Sequence, residues 1–343
     1  MTAFDEAWLL VKQEPMRLED YPITGLPGGL SRLSGVTPEE LMVTAGKKPG
    51  SDLSSPFSWT EKMPGPSFGL PTRYCKAGHK MSQQEGTMCE DCYANSGTYR
   101  YPSTRDANER RYEQLMKDPV KWARSQVSLI PSFSRMTKVG KRTVPLAAVA
   151  PDFPSIENRG GYMRWHDSGD IQSPQHLALL ADIARATPDV NHWLPIHEPS
   201  MLRQFLAQDG KIPDNLTIRL SAPDKFQRLK EEDKNFNHPN IKYSSGGRKQ
   251  LFGSLDEDEY QCPGNCGEHD CNACWDKNIE SVNYKLKRGS QAMASETARN
   301  MVLNNPRLRN RAIKELMSTE GGFKNFTSTE EGKEFIDRLL NGS

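Results

Sequence analysis

The sequence lacks a long apolar run, a basic N-terminal segment and an excess of charge of either sign. It has no apolar run near the ~18 residues that span a bilayer, and acidic residues rather than a basic segment precede its first short apolar stretch. Its 45 Lys and Arg residues balance 44 Asp and Glu residues, for a formal net charge of +1. Composition therefore gives no global bias toward nucleic acid or membrane, and we expect a cytoplasmic protein without a membrane partner.

Cysteine is also scarce, and the seven cysteines all fall in two short clusters. An odd number in a chain without a secretion signal argues against a disulfide framework. Confinement to three plus four instead predicts two sites that bind metal through thiolates. The predicted ligands are Cys75, Cys89 and Cys92 in the first cluster, and Cys262, Cys266, Cys271 and Cys274 in the second.

The first cluster has the spacing C-x13-C-x2-C and is followed directly by Tyr93. Three cysteines without a clear fourth suit a 4Fe-4S cluster that has one iron open to an outside ligand. A closed zinc site is the alternative, with His79 as the fourth ligand. The spacing leaves both open, although the loop follows a candidate short strand within residues 66–74, where an active site would lie.

The second cluster has the spacing C-x3-C-x4-C-x2-C, and Trp275 follows it. Four thiolates close a tetrahedral shell, so a structural zinc is the first prediction and a second iron–sulfur cluster the alternative. Such a site would tie the C-terminal segment to the core.

Hydrophobic periodicity predicts alternating strands and helices in the middle of the chain. Strands are expected to start near residues 162, 192, 216 and 241, with helices opened by Pro174 and Pro199. This spacing is typical of a parallel sheet or barrel. We expect an α/β fold: a partial or complete (βα) TIM-like barrel over residues 61–285, an N-terminal extension over 1–60 and a helical tail over 286–343.

Polar residues follow each predicted strand, in the segments HDSGD, IHE, LSAPD and SSGG. Functional residues of such folds lie at the carboxyl ends of strands. Strand alternation predicts that Arg164 and His166 face the barrel interior together. The candidate catalytic residues are Arg164, His166, Asp167 and Asp170, and the candidate cofactor-binding residues are Tyr93, Ser168, Gly169, His197, Glu198 and Ser221.

Each of these residues also has a structural interpretation. Asp167 and Asp170 would shape a turn by accepting backbone N–H groups, and Arg164 would be a buried ion-pair partner. The segment Gly246–Lys249 resembles an anion-binding turn, or is a solvated loop. Between residues 283 and 314 there are eight basic residues and one acid, which would contact phosphates or form a solvated helix face.

These motifs together resemble an uncharacterised family of bacteriophage proteins named after a mycobacteriophage gene product. That family is more distantly similar to radical S-adenosylmethionine enzymes. The likeness implies a 4Fe-4S cluster on Cys75, Cys89 and Cys92, S-adenosylmethionine on the open iron, and a 5′-deoxyadenosyl radical. The first hypothesis is therefore an iron–sulfur enzyme of radical type that acts on a nucleotide or nucleic-acid base. The likeness also implies a location in the host cytoplasm. Thirteen residues separate the first two cysteines where those enzymes usually have three, and their glycine-rich motif is absent.

A second resemblance competes with the first. The segment DSGDIQ is similar to the DSGGFQ segment of queuine and deazaguanine transglycosylases, which are (βα) barrels with a late zinc site. It implies a base-exchange enzyme using Asp167, with zinc on the Cys262 to Cys274 group, although no His follows Cys274 as it does in that family. A third hypothesis is a noncatalytic, metal-stabilised protein that binds nucleic acid through its basic tail.

Overall fold

The computed structural model describes residues 15–51, 55–60, 63–139, 142–145, 161–249, 255–266, 269, 271–286 and 330–341, with scattered positions between 302 and 313. The sequence pattern of residues 4–12 predicts a short helix, and this segment and most of the basic 283–314 segment lie outside these ranges. Among the described helices, none has the length and apolarity needed to cross a bilayer.

The described elements alternate through the middle of the chain as the periodicity predicts. The helices are α1 (Pro38–Thr44), α2 (Lys76–Met81), α3 (Pro102–Lys117), α4 (Pro119–Phe133), α5 (Pro174–Ala186), α6 (Pro199–Ala207) and α7 (Glu330–Asn341). The strands are β1 (Ser67–Phe68), β2 (Met136–Val139), β3 (Arg142–Pro145), β4 (Gly161–Trp165), β5 (Val190–Ile196), β6 (Leu216–Ser221), β7 (Ile241–Gly246), β8 (Glu259–Gln261) and β9 (Ser281–Tyr284).

Seven of the strands form one parallel sheet in the order β1-β4-β5-β6-β7-β9-β8. The expected α/β class and parallel sheet are confirmed. Within the described residues β1 and β8 remain the two edges, so the sheet is open and a complete barrel is not formed. Closure would require these edges to pair, and β1 spans only two residues. Strands β2 and β3 form a separate antiparallel hairpin.

Helix boundaries follow from capping chemistry that is visible in the sequence. Thr37 and Glu40 form a capping box at the start of α1. Ser173 accepts a hydrogen bond from the His176 N–H at the start of α5, with Pro174 at the first position. Helix α6 ends where Asp209 adopts a positive φ of 60°, as the Asp-Gly pair predicts.

The sheet buries a different cluster on each face, because side chains alternate along a strand. Met163 and Trp165 of β4 belong to the main core, to which helices α4, α5 and α6 contribute. Tyr162 of β4 and Trp193 of β5 belong to a second cluster that contains three of the late cysteines and Trp275. The four-cysteine segment therefore covers the face of the sheet opposite the helices.

The N-terminal segment packs on helix α5. Leu18 and Tyr21 are buried, and the Tyr21 hydroxyl donates to Asp182 Oδ2 at 2.5 Å. The Leu26 N–H donates to the same oxygen at 2.9 Å. A buried carboxylate with these two donors fixes the segment to the core.

Candidate functional site

The first cysteine loop, defined here as residues 75–92, crosses the carboxyl ends of β5, β6 and β7. The Ala77 N–H donates to Glu198 Oε1 at 2.6 Å, just beyond β5. The Met88 N–H donates to the Pro223 carbonyl at 2.8 Å, just beyond β6. A Cβ built on Gly246, at the end of β7, would lie 2.6 Å from Met88 Cε. The polar ends of β5, β6 and β7 thus meet at this loop.

Gly78 lies against two of the thiol-bearing residues, Cys75 and Cys89. A Cβ at this position would lie 3.0 Å from Cys75 Cβ and 3.6 Å from Cys89 Sγ. Burial, followed by nearby negative charge, raises the pKa of Cys75 above its usual range and that of Cys89 to about 12. The negative neighbours include Cys92, Asp170 and Glu198, so all three thiols and two carboxyls share one region.

Two buried carboxyl groups complete this region. Asp170 is 4% exposed, and it accepts hydrogen bonds from the Ile171 N–H at 2.7 Å and the His197 N–H at 2.8 Å. Burial raises the pKa of Asp170 to about 8 and also raises the pKa of Glu198. Asp170 links the turn after β4 to the end of β5, and Glu198 links β5 to the cysteine loop.

The donor set suits a cationic group. All seven cysteines are free thiols. Within the described ranges no three His, Cys, Asp or Glu side chains already stand at metal-ligand spacing. The loop nevertheless gathers three thiols in one region, where ionisation of each raises the electrostatic cost of ionising the others. A positive centre would remove that cost, because it favours thiolate over thiol.

His79 lies on the exposed surface of α2. Its Nε2 is 3.4 Å from Gln83 Nε2. Both the 4Fe-4S cluster and the zinc site closed by His79 stay predictions.

Arg164 and His166 do not face the same way. Arg164 lies over the Trp193 ring at 4.7 Å and donates to the Tyr93 hydroxyl at 2.9 Å. His166 has a positive φ of 52°, which ends the strand alternation, and its ring packs edge-on against His176 with centroids 5.4 Å apart. The predicted shared face is therefore wrong, and burial holds the pKa of His166 well below its ordinary value.

Asp167, Ser168 and Gly169 bind the neighbouring strand instead of the cysteine loop. Asp167 Oδ2 accepts from the Ser67 hydroxyl at 2.8 Å, and its Oδ1 faces Gly69. The Ser168 hydroxyl donates to the Leu70 carbonyl at 2.9 Å. Gly169 has a φ of 76°, and a Cβ there would lie 2.7 Å from Leu70 Cβ. These residues therefore lock the turn after β4 onto β1.

The remaining candidates lie around the same edge. Tyr93 is 39% exposed, and its hydroxyl donates to the Asp167 carbonyl at 2.5 Å. Burial lowers the pKa of His197 to about 4. Ser221 accepts a hydrogen bond from Ser244 at 3.0 Å, across β6 and β7. Only Tyr93 among these three belongs to the segment that adjoins the first three cysteines.

Arg219, which the sequence reasoning missed, anchors the four-cysteine segment. It is fully buried on β6, and its guanidinium donates to backbone carbonyls at 2.7 to 3.2 Å. The acceptors are Tyr243, Ala273, Cys274, Asp276 and Ile279. The strand LTIRLS alternates apolar and polar residues, and the charged Arg219 at one of its polar positions was the signal for this role.

Trp275 fixes the same segment through its ring. Its indole N–H donates to the Met163 carbonyl at 3.0 Å. Its ring packs edge-on against Tyr162 at 5.1 Å and Trp193 at 5.2 Å. Arg164, stacked on Trp193, thus lies between the two cysteine segments.

The second cysteine site differs electrostatically from the first. Interaction between the Cys266 and Cys271 thiols lowers the pKa of Cys271 and raises the pKa of Cys266. Burial raises the pKa of Cys274 to about 11, with the Arg219 guanidinium opposing it. Arg164 acts on Cys262 in the same sense. Two buried guanidinium groups therefore offset the charge of thiolates here.

The segment Gly246–Lys249 does not offer its arginine to an anion. Arg248 is 4% exposed, and it forms ion pairs with Glu259 at 2.8 Å and Asp256 at 2.9 Å. The arginine of this segment therefore belongs to a structural ion-pair network and not to an anion-binding turn.

The fold and site define an α/β protein with a cysteine loop at the carboxyl ends of a parallel sheet and a four-cysteine segment on one face. Residues 41–277 match the model of the family described as Gene product 88, and the chain belongs to that family. This match covers more than half of the chain, spans both cysteine clusters and confirms the resemblance to a bacteriophage gene-product family. No curated protein and no solved structure matches the chain.

Proposed function

We propose that this protein is an iron–sulfur enzyme resembling radical S-adenosylmethionine proteins, which acts on a nucleotide or nucleic-acid base. Cys75, Cys89 and Cys92 would hold a 4Fe-4S cluster. The observation that carries the proposal is the convergence of these thiols with Asp170 and Glu198 at the carboxyl ends of parallel strands. This is the edge where α/β folds of this kind place their chemistry.

The residues around the thiols suit binding and proton transfer. A bound cluster of this type supplies single electrons and an open coordination position. The raised pKa of Asp170, about 8, allows its carboxyl to donate or accept a proton near neutral pH. The half-exposed Tyr93 ring adjoins Cys92 and offers an aromatic surface to a base, while Arg164 holds its hydroxyl.

The second site is proposed to be structural, with zinc on Cys262, Cys266, Cys271 and Cys274 and a second iron–sulfur cluster as the alternative. Four thiolates around one zinc ion leave a net negative charge. The buried guanidinium groups of Arg164 and Arg219 support such a site because they offset that charge. The site would hold the segment against the sheet.

Cleavage of S-adenosylmethionine tests the proposal. Anaerobically purified protein is reduced and assayed for release of 5′-deoxyadenosine, with a Cys89→Ser variant as the inactive control. We expect release by the wild type and none by the variant. A colourless preparation that holds zinc at both sites and releases nothing would overturn the proposal.

The two alternatives give different outcomes in parallel assays. A transglycosylase would exchange guanine into DNA or tRNA and lose that activity in Asp167→Asn. A noncatalytic nucleic-acid-binding protein would bind with steep salt dependence and be unaffected by replacing Asp167 and Asp170.

A further inference from the structure

We propose that Lys225 is a positioning residue that holds the C-x2-C turn of the first cysteine loop in place. This role concerns the proposed iron–sulfur site, and its expected effect on metal loading rests on the proposed function. The geometry itself concerns the loop alone and can be tested in the metal-free chain.

Lys225 lies just beyond the end of β6, and its side chain is 2% exposed. Its ammonium donates to Glu90 Oε2 at 2.9 Å and to Asp91 Oδ2 at 2.6 Å. Glu90 and Asp91 are the two residues between Cys89 and Cys92. A single buried cation therefore binds both intervening side chains of the C-x2-C turn.

The backbone of Lys225 binds the same loop at a second point. Its N–H donates to the Gly86 carbonyl at 2.8 Å. Glu90 Oε2, which accepts from the Lys225 ammonium, also accepts from the Gly86 N–H at 2.9 Å. The Glu90 N–H donates to the Thr87 hydroxyl at 3.2 Å. The lysine thus fixes both the approach to Cys89 and the turn that follows it.

The burial of the partners shows which side is the anchor. The lysine side chain is 2% exposed, whereas the Glu90 and Asp91 side chains are 31% and 57% exposed. Loss of the ammonium would therefore release the loop while the end of β6 stays packed.

Alkylation of individual cysteines tests this role. Full-length, metal-free Lys225→Met is treated with iodoacetamide, and the rates at Cys89 and Cys92 are measured by peptide mass spectrometry. We expect these rates to rise about tenfold. Breaking ion pairs to partly exposed carboxylates should raise the equilibrium constant for local opening of the loop by about a factor of ten. Lys225→Arg should restore slow alkylation. Rates at Cys89 and Cys92 that match the wild type would overturn the proposal.

Two controls separate loop release from unfolding. Lys242→Met removes a matched, mostly buried lysine that pairs with Glu280 at 2.6 Å away from the loop, and it should leave both rates unchanged. If Lys225→Met also exposes Cys266 and Cys274, the variant has unfolded beyond the loop. The double variant Glu90→Gln with Asp91→Asn then tests the role of the ion pairs, because it keeps the buried lysine in place. Fast alkylation confined to the loop supports the role, and wild-type rates refute it.

Iron loading distinguishes this proposal from the function itself. If the wild type binds iron and sulfide, Lys225→Met should bind markedly less and Lys225→Arg close to the wild-type amount. If the wild type binds neither, the proposed function fails, and the alkylation rates still decide the role of Lys225.

Discussion

Replacing Arg219 with Met should detach the four-cysteine segment from the sheet. The guanidinium donates to five backbone carbonyls, four of them between residues 273 and 279. A hydrogen bond from a charged donor contributes about 1.5 to 3 kcal/mol, but three of these bonds share one nitrogen and the buried charge is itself costly. We therefore expect a loss of about 3 to 5 kcal/mol, a large share of the ~5 to 15 kcal/mol typical of domains.

The assay is urea unfolding of the full chain, followed by tryptophan fluorescence, because Trp193 and Trp275 lie beside the segment. The control is Arg203→Met, which removes an arginine 47% exposed and 3.8 Å from Asp233, and should change stability by about 0.5 kcal/mol or less. Zinc content should fall in the Arg219 variant alone. An Arg219 variant with wild-type stability and wild-type metal content would refute the reasoning.

Three further variants test the first cysteine site. Gly78→Ala would place a methyl group 3.0 Å from Cys75 Cβ, so iron loading should fall. The free energy of unfolding of the metal-free chain should change by less than about 1 kcal/mol, because Ala is the better helix former. Unchanged iron loading would contradict this expectation. Because the pKa of Asp170 is raised to about 8, the folded chain keeps a proton that the unfolded chain releases above about pH 4. Asp170 should therefore cost stability progressively from pH 4 to 8, by up to about 1.4 kcal/mol per pH unit. The difference in unfolding free energy between Asp170→Asn and the wild type should grow over that range, and a flat difference would contradict it. Tyr93→Phe removes the hydroxyl that accepts from Arg164 and should lower urea stability by about 1.5 to 3 kcal/mol, whereas an unchanged midpoint would show that this bond contributes nothing.

Local pattern and capping were enough to predict the strands and helices of the middle segment. Pro174 and Pro199 begin helices α5 and α6, and the strands before them are found close to the expected residues. The meeting of the strand ends followed from parallel topology. The short strands β8 and β9 were missed because segments of three and four residues are too short to show hydrophobic periodicity.

Features set by tertiary contacts could not be predicted. The left-handed backbone at His166 turns its ring from the expected face toward His176, and nothing in the residue type requires that conformation. The carboxylate of Asp167 binds Ser67, one hundred residues away in the chain. Closure into a barrel likewise depends on the pairing of distant edge strands, which periodicity does not encode.

We expect the first cysteine loop to hold an iron–sulfur cluster and the second segment to hold a different, closed site. Iron, zinc and acid-labile sulfide measured in anaerobically reconstituted protein test it most directly. We predict about four iron and four sulfide per chain with one zinc, and loss of the iron and sulfide but not the zinc in a Cys92→Ser variant. Two zinc ions per chain without sulfide, one of them lost in Cys92→Ser, would contradict this expectation.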